Sequence, residues 1–193
     1  MSAYHMMLVH FPIALWTTAF LLILARALSD APAVRTAEGA LTPLLAVGAL
    51  TGALAFAAGL LVWPIESAAS SPLARNHILL AAWSLAYWTV LWLVRWRAGE
   101  RVWDGWFRWI MVGLGTLGVG LQTLTGTIGG SLAGNPSGVS DIVRKLGWEV
   151  FTTFYLPGWM LGVVVVAALA LIAAGILSKH VGNADRTPAA PAP

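Results

Sequence analysis

The residues of this chain that are best suited to chemistry are histidines. The chain holds four of them and no cysteine. His5 and His10 lie in the segment YHMMLVHFPI (residues 4–13) at the start of an apolar stretch, and His77 opens another apolar stretch. Neutral imidazole is a common ligand of haem iron and of other transition metals. These three histidines are therefore the candidate ligand set, whereas His180 lies near the far end of the chain.

The composition is that of an integral membrane protein. The chain is 59% hydrophobic and only 10% charged, whereas soluble domains average about 25% charged residues. The absence of cysteine excludes disulfides, thiolate metal sites, iron–sulfur clusters and covalently attached c-type haem. The basic residues lie beside apolar stretches, where membrane topology explains them, so no nucleic-acid partner is expected. No cleavable signal peptide is expected either.

Five stretches are long enough to cross a bilayer as helices, which takes about 20 residues. They run over residues 8–28, 41–63, 76–94, 107–128 and 156–177. We predict an all-α membrane bundle of five transmembrane helices. It has a four-helix core (1–135), an amphipathic interfacial segment (136–155), a fifth transmembrane helix (156–180) and a disordered tail (181–193). The interfacial segment could instead dock a partner.

Charge gives the predicted orientation. Most lysine and arginine residues fall on the side of the C-terminus, and the positive-inside bias makes that side cytoplasmic. We therefore expect a multi-pass protein of a bacterial inner membrane, with a periplasmic N-terminus and a cytoplasmic C-terminus. Two groups of tryptophans fit aromatic belts at the two interfaces. On the cytoplasmic side these are Trp92, Trp96, Trp103, Trp106 and Trp109, and on the periplasmic side Trp63, Trp148 and Trp159.

His10 and His77 are the first candidate pair. Each lies near the outer end of its span, and the first and third spans run in the same direction, so both side chains could point into one bundle core. A b-type haem needs one or two neutral imidazoles, an apolar slot and cations for its propionates. Trp16 and Trp83 could wall the slot, and Arg75 could meet a propionate. The alternative is that each histidine only satisfies a membrane interface or a helix end.

His5 is a possible extra ligand. It lies five residues before His10, which is roughly 140° around a continuous helix, so the two would not share one ligand direction. A non-helical segment before Leu8 would free His5 to coordinate. Met6 and Met7 beside it make a His/Met copper site a weaker alternative.

The fourth predicted span is rich in glycine. Gly126, Gly129 and Gly130 lie at the depth of the histidines. Small residues allow close approach of a porphyrin, or, as the favoured interpretation, of another helix. Gln122 is expected to hydrogen-bond within the bundle, or to contact a quinone. No ionisable residue lies in the middle of a span, which argues against an ion-coupled transporter.

The opening segment resembles a known family. His5 to Ala14 is similar to the His-Pro-x-x-Val-His-Phe-Pro opening of small bacterial membrane proteins catalogued as domain of unknown function 2231. The likeness extends through Gly52 and Gly59, His77, and the Gly-Gly-x-Leu end of the fourth span (129–132). The resemblance implies four helices over residues 5–140, with the fifth span as an addition. Two departures are Met6, where the family has proline, and a missing histidine after the fourth helix.

Two functions follow as expectations. The first is a b-type haem-binding subunit that transfers electrons between a periplasmic redox partner and quinone or another membrane cytochrome, within a hetero-oligomeric complex. The second is a cofactor-free subunit that anchors a larger respiratory or photosynthetic assembly. Neither expectation makes the chain an independent enzyme.

Overall fold

The computed structural model of the chain describes residues 2–62 and 64–147, together with Val163 and Val166. Within these residues the chain is helical, which confirms the predicted all-α class. The helices are α1 (Ser2–Leu28), α2 (Pro32–Glu38), α3 (Leu41–Leu60), α4 (Ile65–Ser70), α5 (Pro72–Ala98), a 3₁₀ helix (Gly99–Trp103), α6 (Phe107–Leu132) and α7 (Gly138–Lys145).

The chain divides into two compact units, residues 1–154 and 155–193. In the second unit only Val163 and Val166 are described, and both are helical. The predicted fifth span (156–180) and the predicted tail (181–193) otherwise lie outside the described residues, as do Trp63, Trp148 and Trp159.

Four described segments are long and apolar enough to cross a membrane. They are Ser2–Leu28, Pro32–Leu60, Pro72–Trp103 and Phe107–Leu132. The first is longer than predicted, because no proline or glycine interrupts residues 2–11 and the helix continues through Pro12. The alternative of a non-helical segment before Leu8 therefore does not apply, and His5 lies on α1 itself.

The long helices α1, α3, α5 and α6 form a four-helix bundle. In it α1 packs on α3 and α6, and α5 packs on the same two helices. Successive long helices are joined by short connections and run antiparallel, so α1 and α5 run in the same direction. We call the end that holds His5 and His77 the histidine end, and the opposite end, with Arg26 and Arg95, the arginine end.

Two stacked tryptophans form the centre of the bundle. The rings of Trp16 and Trp88 lie 5.4 Å apart at an interplanar angle of 9°. Each ring packs on glycine: a Cβ at Gly48 would lie 2.3 Å from Trp16 Nε1, and a Cβ at Gly118 would lie 2.7 Å from Trp88 Cζ2. These glycines serve close helix packing, as expected for small residues in a membrane bundle.

The two halves of the bundle repeat each other. The same spacing separates His5 from Trp16 on α1 and His77 from Trp88 on α5, and a threonine follows each tryptophan. On the partner helices, the spacing from Gly48 to Gly59 equals that from Gly118 to Gly129. The hairpin α1–α3 therefore corresponds to the hairpin α5–α6, with the stacked tryptophans between them.

Buried charge holds the arginine end together. Arg95 donates from Nε and Nη2 to Glu38 Oε1 over 2.9 and 2.6 Å, and both side chains are buried. Arg26 lies over the ring of Trp103, 5.6 Å from its centroid. Trp103 is only 2% exposed, so its predicted place in an aromatic belt is wrong, whereas Trp96, Trp106 and Trp109 are exposed as predicted.

A short helix follows the bundle, as the apolar spacing predicts. Helix α7 buries Val143 while Ile142 is exposed, and its Ser140 lies 3.4 Å (Oγ to Oγ) from Ser131 at the end of α6. Residues 148–155 of the predicted interfacial segment lie outside the described residues.

Candidate cofactor site

A cavity of about 470 Å³ opens at the histidine end between the four long helices. All predicted site residues except Arg75 line it: His5, His10, His77, Gly126, Gly129 and Gly130. Arg75 is exposed and lies outside this lining. Most of the remaining wall is apolar, so the cavity suits an apolar ligand that the histidines could anchor.

Two of the histidines are held by backbone carbonyls of the neighbouring helix. His5 Nδ1 lies 2.9 Å from the carbonyl oxygen of Ala55, and His77 Nδ1 lies 3.1 Å from that of Thr125. A carbonyl oxygen only accepts, so each Nδ1 carries the proton and donates it. In the neutral ring the lone pair is then on Nε2. Metal-binding histidines are typically oriented by this kind of hydrogen bond to the non-coordinating nitrogen.

The two anchored imidazoles lie next to each other. Their ring centroids are 6.3 Å apart and their planes are at 86°. Two imidazoles that bind opposite sides of one metal ion, each through a nitrogen at about 2 Å, have centroids about 6 Å apart. At this separation His5 and His77 could hold one metal ion together, with one ligand from each hairpin.

A glycine makes room for each ring. A Cβ at Gly59 would lie 2.8 Å from His5 Cε1, and a Cβ at Gly129 would lie 2.9 Å from His77 Cε1. Each glycine follows the accepting carbonyl by one helical turn, so both hairpins use the same arrangement. Gly129 thus packs on a histidine rather than leaving open space for a porphyrin, whereas a Cβ at Gly126 would meet nothing within 4 Å.

His10 occupies a different position from the other two. It is exposed at the rim of the cavity, and its Nδ1 donates over 2.6 Å to the carbonyl of Met6, one turn back on α1. The structure therefore brings His77 next to His5 and not next to His10. The repeat accounts for this, since His5 is the position on α1 that corresponds to His77.

Of the two tryptophans predicted to line the site, only Trp16 does so, at the inner end of the cavity. Trp16 lines the cavity, but Trp83 is 59% exposed and lies on the outside of the bundle. Gln122, which also lines the cavity, donates from Nε2 to the carbonyl of Ile13 (3.2 Å) and to Thr17 Oγ1 (3.1 Å). Its amide links α6 to α1, as expected for a polar residue within the bundle.

The donor set suits haem better than a bare ion. Among the described residues no group of three or more His, Asp or Glu side chains could hold a metal ion. A copper ion would have to add Met6 sulfur or His10 to the His5–His77 pair. A porphyrin brings its own equatorial nitrogens, so it needs only one or two protein ligands.

Reasoning from the sequence missed the His5–His77 pair and the part played by Trp88. Both follow from the internal repeat, and a signal for it is present in the sequence: a histidine with Trp-Thr at one fixed distance after it occurs on both α1 and α5. Aligning the two spans on this pattern would have matched His5 with His77 and left His10 without a counterpart.

The comparisons with known proteins give the family. No curated protein and no solved structure matches the chain. A family model described as "Predicted membrane protein (DUF2231)" matches residues 2–141, which covers the four-helix bundle and the first half of α7. The chain therefore belongs to the DUF2231 family of predicted membrane proteins.

Proposed function

We propose that the chain is a membrane subunit that binds b-type haem through His5 and His77 and takes part in electron transfer. One observation carries the proposal: the imidazoles of His5 and His77 come from different hairpins, are each anchored through Nδ1–H, and have ring centroids 6.3 Å apart beside an apolar cavity. The iron would supply one-electron chemistry. His5 and His77 would hold the haem, their carbonyl partners would orient them, and the apolar surrounding would tune the potential.

The position of the site argues for partners. The histidines belong to one end of the bundle, so the site alone does not carry electrons across a bilayer. We propose an inner-membrane protein with the histidine end toward the periplasm, because lysine and arginine concentrate at the other side. A periplasmic or membrane redox protein would exchange electrons there, within a hetero-oligomeric complex.

The test is a dithionite-reduced minus air-oxidised visible spectrum of the full chain in mild detergent, with iron and copper measured on the same sample. We expect a sharp α-band and about one iron per chain. His5→Ala and His77→Ala should each abolish the low-spin spectrum, because each removes a histidine that would hold the iron. His10→Ala should keep it. An iron-free wild type, or a His77→Ala protein with an unchanged spectrum, would contradict the proposal.

A second candidate function rests on the same contacts. His5 and His77 already fill the spaces beside Gly59 and Gly129 and bond to carbonyls, so they could serve as packing groups of a cofactor-free anchoring subunit. In that case the wild type would carry no iron or copper when purified from a membrane. Both histidine variants would then assemble normally with their partner complex and lose only thermal stability.

A further inference from the structure

The cavity departs from the internal repeat at several positions. Superposing the two hairpins by sequence pairs residues of equal type at the histidines, the tryptophans and the packing glycines. Elsewhere along the cavity the paired residues differ. Among these pairs are His10 with Ala82, Phe56 with Gly126, Leu60 with Gly130, and Gly52 with Gln122. Of these residues, the polar His10 lies on α1. The polar Gln122 and the small Gly126 and Gly130 lie on α6.

These differences meet at the seam between α1 and α6. The amide of Gln122 on the carbonyl of Ile13 sets the register of the two antiparallel helices. One turn toward the histidine end from this bond, His10 on α1 lies opposite Gly126 on α6. Both residues are exposed and line the cavity, and a side chain added at Gly126 would meet open space. The cavity therefore opens sideways here, through the bundle surface.

The opening has an unusual chemical character for a membrane helix surface. Its walls are apolar, and His10 is a polar residue on the outer surface of a span. Polar residues at such positions cost free energy and commonly mark a functional site. Because Nδ1 of His10 donates to the carbonyl of Met6, its Nε2 offers a lone pair at the rim. The ligand that fits is an apolar molecule which arrives from the lipid and presents a hydrogen-bond donor.

We infer that the α1–α6 opening binds a lipid-soluble hydroquinone, with one phenolic hydroxyl donating to His10 Nε2. The redox part of this inference rests on the proposed function, because it uses the oxidised haem iron held by His5 and His77 as the electron acceptor. Hydroquinone loses two electrons and two protons as it becomes quinone. The electrons pass one at a time to the iron and on to the external redox partner. One proton goes to His10 and the other to water at the open end of the cavity.

The first experiment measures reduction of the oxidised, haem-loaded full chain by a short-chain hydroquinone under anaerobic conditions, followed at the α-band. We expect His10→Ala to slow this reduction by about 100-fold, the effect of losing a positioned proton acceptor. Gly126→Leu should slow it comparably by filling the opening. The matched control is Gly120→Leu, because Gly120 lies on the same helix, also has open space at its Cβ and does not line the cavity. Dithionite should reduce all three variants fully.

The second experiment does not need haem. A hydroquinone that carries an azido group is photo-crosslinked to the full chain in detergent under anaerobic conditions, and the labelled peptides are identified by mass spectrometry. We expect label in residues 6–13 and 122–133, lost in Gly126→Leu and retained in Gly120→Leu. Label at these peptides in a protein without iron would keep the quinone site and overturn the haem proposal. If label is absent, or is spread over lipid-facing residues, the hydroquinone site is overturned. Equal rates of reduction by hydroquinone in His10→Ala and wild type would overturn it too.

Discussion

At the scale of single residues, the tautomer of each histidine determines what it can bind. Carbonyl acceptors force the proton of His5 and His77 onto Nδ1 and direct the lone pair of Nε2 away from the backbone. The carbonyls come from other helices, so no sequence rule could assign them. The identity of the candidate ligands was predicted from residue type and depth, but the pairing of His77 with His5 was not.

Alanine at the packing glycines tests how tightly the imidazoles are positioned. In Gly59→Ala and Gly129→Ala the new methyl would lie under 3 Å from a histidine ring and would push it off its carbonyl. We expect the affinity of each variant for haem to be about 10-fold to 100-fold lower than that of wild type. Haem titration followed at the Soret band measures this. Gly113→Ala, whose Cβ meets nothing within 4 Å, is the control and should bind as wild type does.

Acid should weaken a surface network at the arginine end. The hydrogen bond from Arg26 holds the pKa of Asp30 below its usual value, with further attraction from Arg108 and Arg35. Because the pKa of Asp30 is lower in the folded state, its ionised carboxylate stabilises the fold fully at a pH above the unfolded pKa of about 3.9. This stabilisation is lost as the pH falls through the folded-state pKa. Thermal unfolding from pH 7 to pH 2 should show this loss in wild type and a shallower acid dependence in Asp30→Asn. Equal slopes would contradict it.

At the scale of elements, one buried ion pair joins the second span to the third. Glu38 and Arg95 lie on α2 and α5 and are both nearly inaccessible. Composition and hydropathy located the spans, but Glu38 had no periodic signal that would distinguish it from a solvated loop acid. Its partner is distant in the sequence, so only the folded bundle reveals that the pair is buried.

Breaking this pair should be costly. Glu38→Ala leaves Arg95 with the exposed Glu100 as its remaining carboxylate partner, and we expect a loss of about 3 kcal/mol in unfolding free energy. Replacing both residues together, as Glu38→Leu with Arg95→Met, should recover most of the loss because no buried charge is left. Glu100→Ala should cost about 0.5 kcal/mol, as at other exposed pairs. Denaturant titration in detergent measures all three, and a double variant as unstable as Glu38→Ala would refute the assignment.

At the scale of the whole molecule, the bundle is two equivalent hairpins that meet at the candidate site. Under the proposed function His5 and His77 would hold haem from different hairpins, so haem would connect the two halves. Haem should therefore raise the unfolding temperature, with a gain of about 4 kcal/mol at a thousandfold excess over the dissociation constant. His5→Ala should lose that increment, in addition to the smaller loss of haem-free stability caused by removing its hydrogen bond to Ala55. Unfolding temperatures measured at increasing haem concentration decide this.

The sequence by itself determined the class of protein and the places where chemistry could occur. Apolar length alone defines the spans, because a bilayer requires about 20 apolar residues per crossing helix, and histidines at the helix ends stand out in such a background. The tertiary structure decided the rest. In the structure α1 begins at Ser2, and Trp83 and Arg75 lie outside the site. Trp103 is buried, and His5 lies next to His77. The reason is physical: depth can be read along one helix, but which face meets which neighbour depends on the packing of all four helices together.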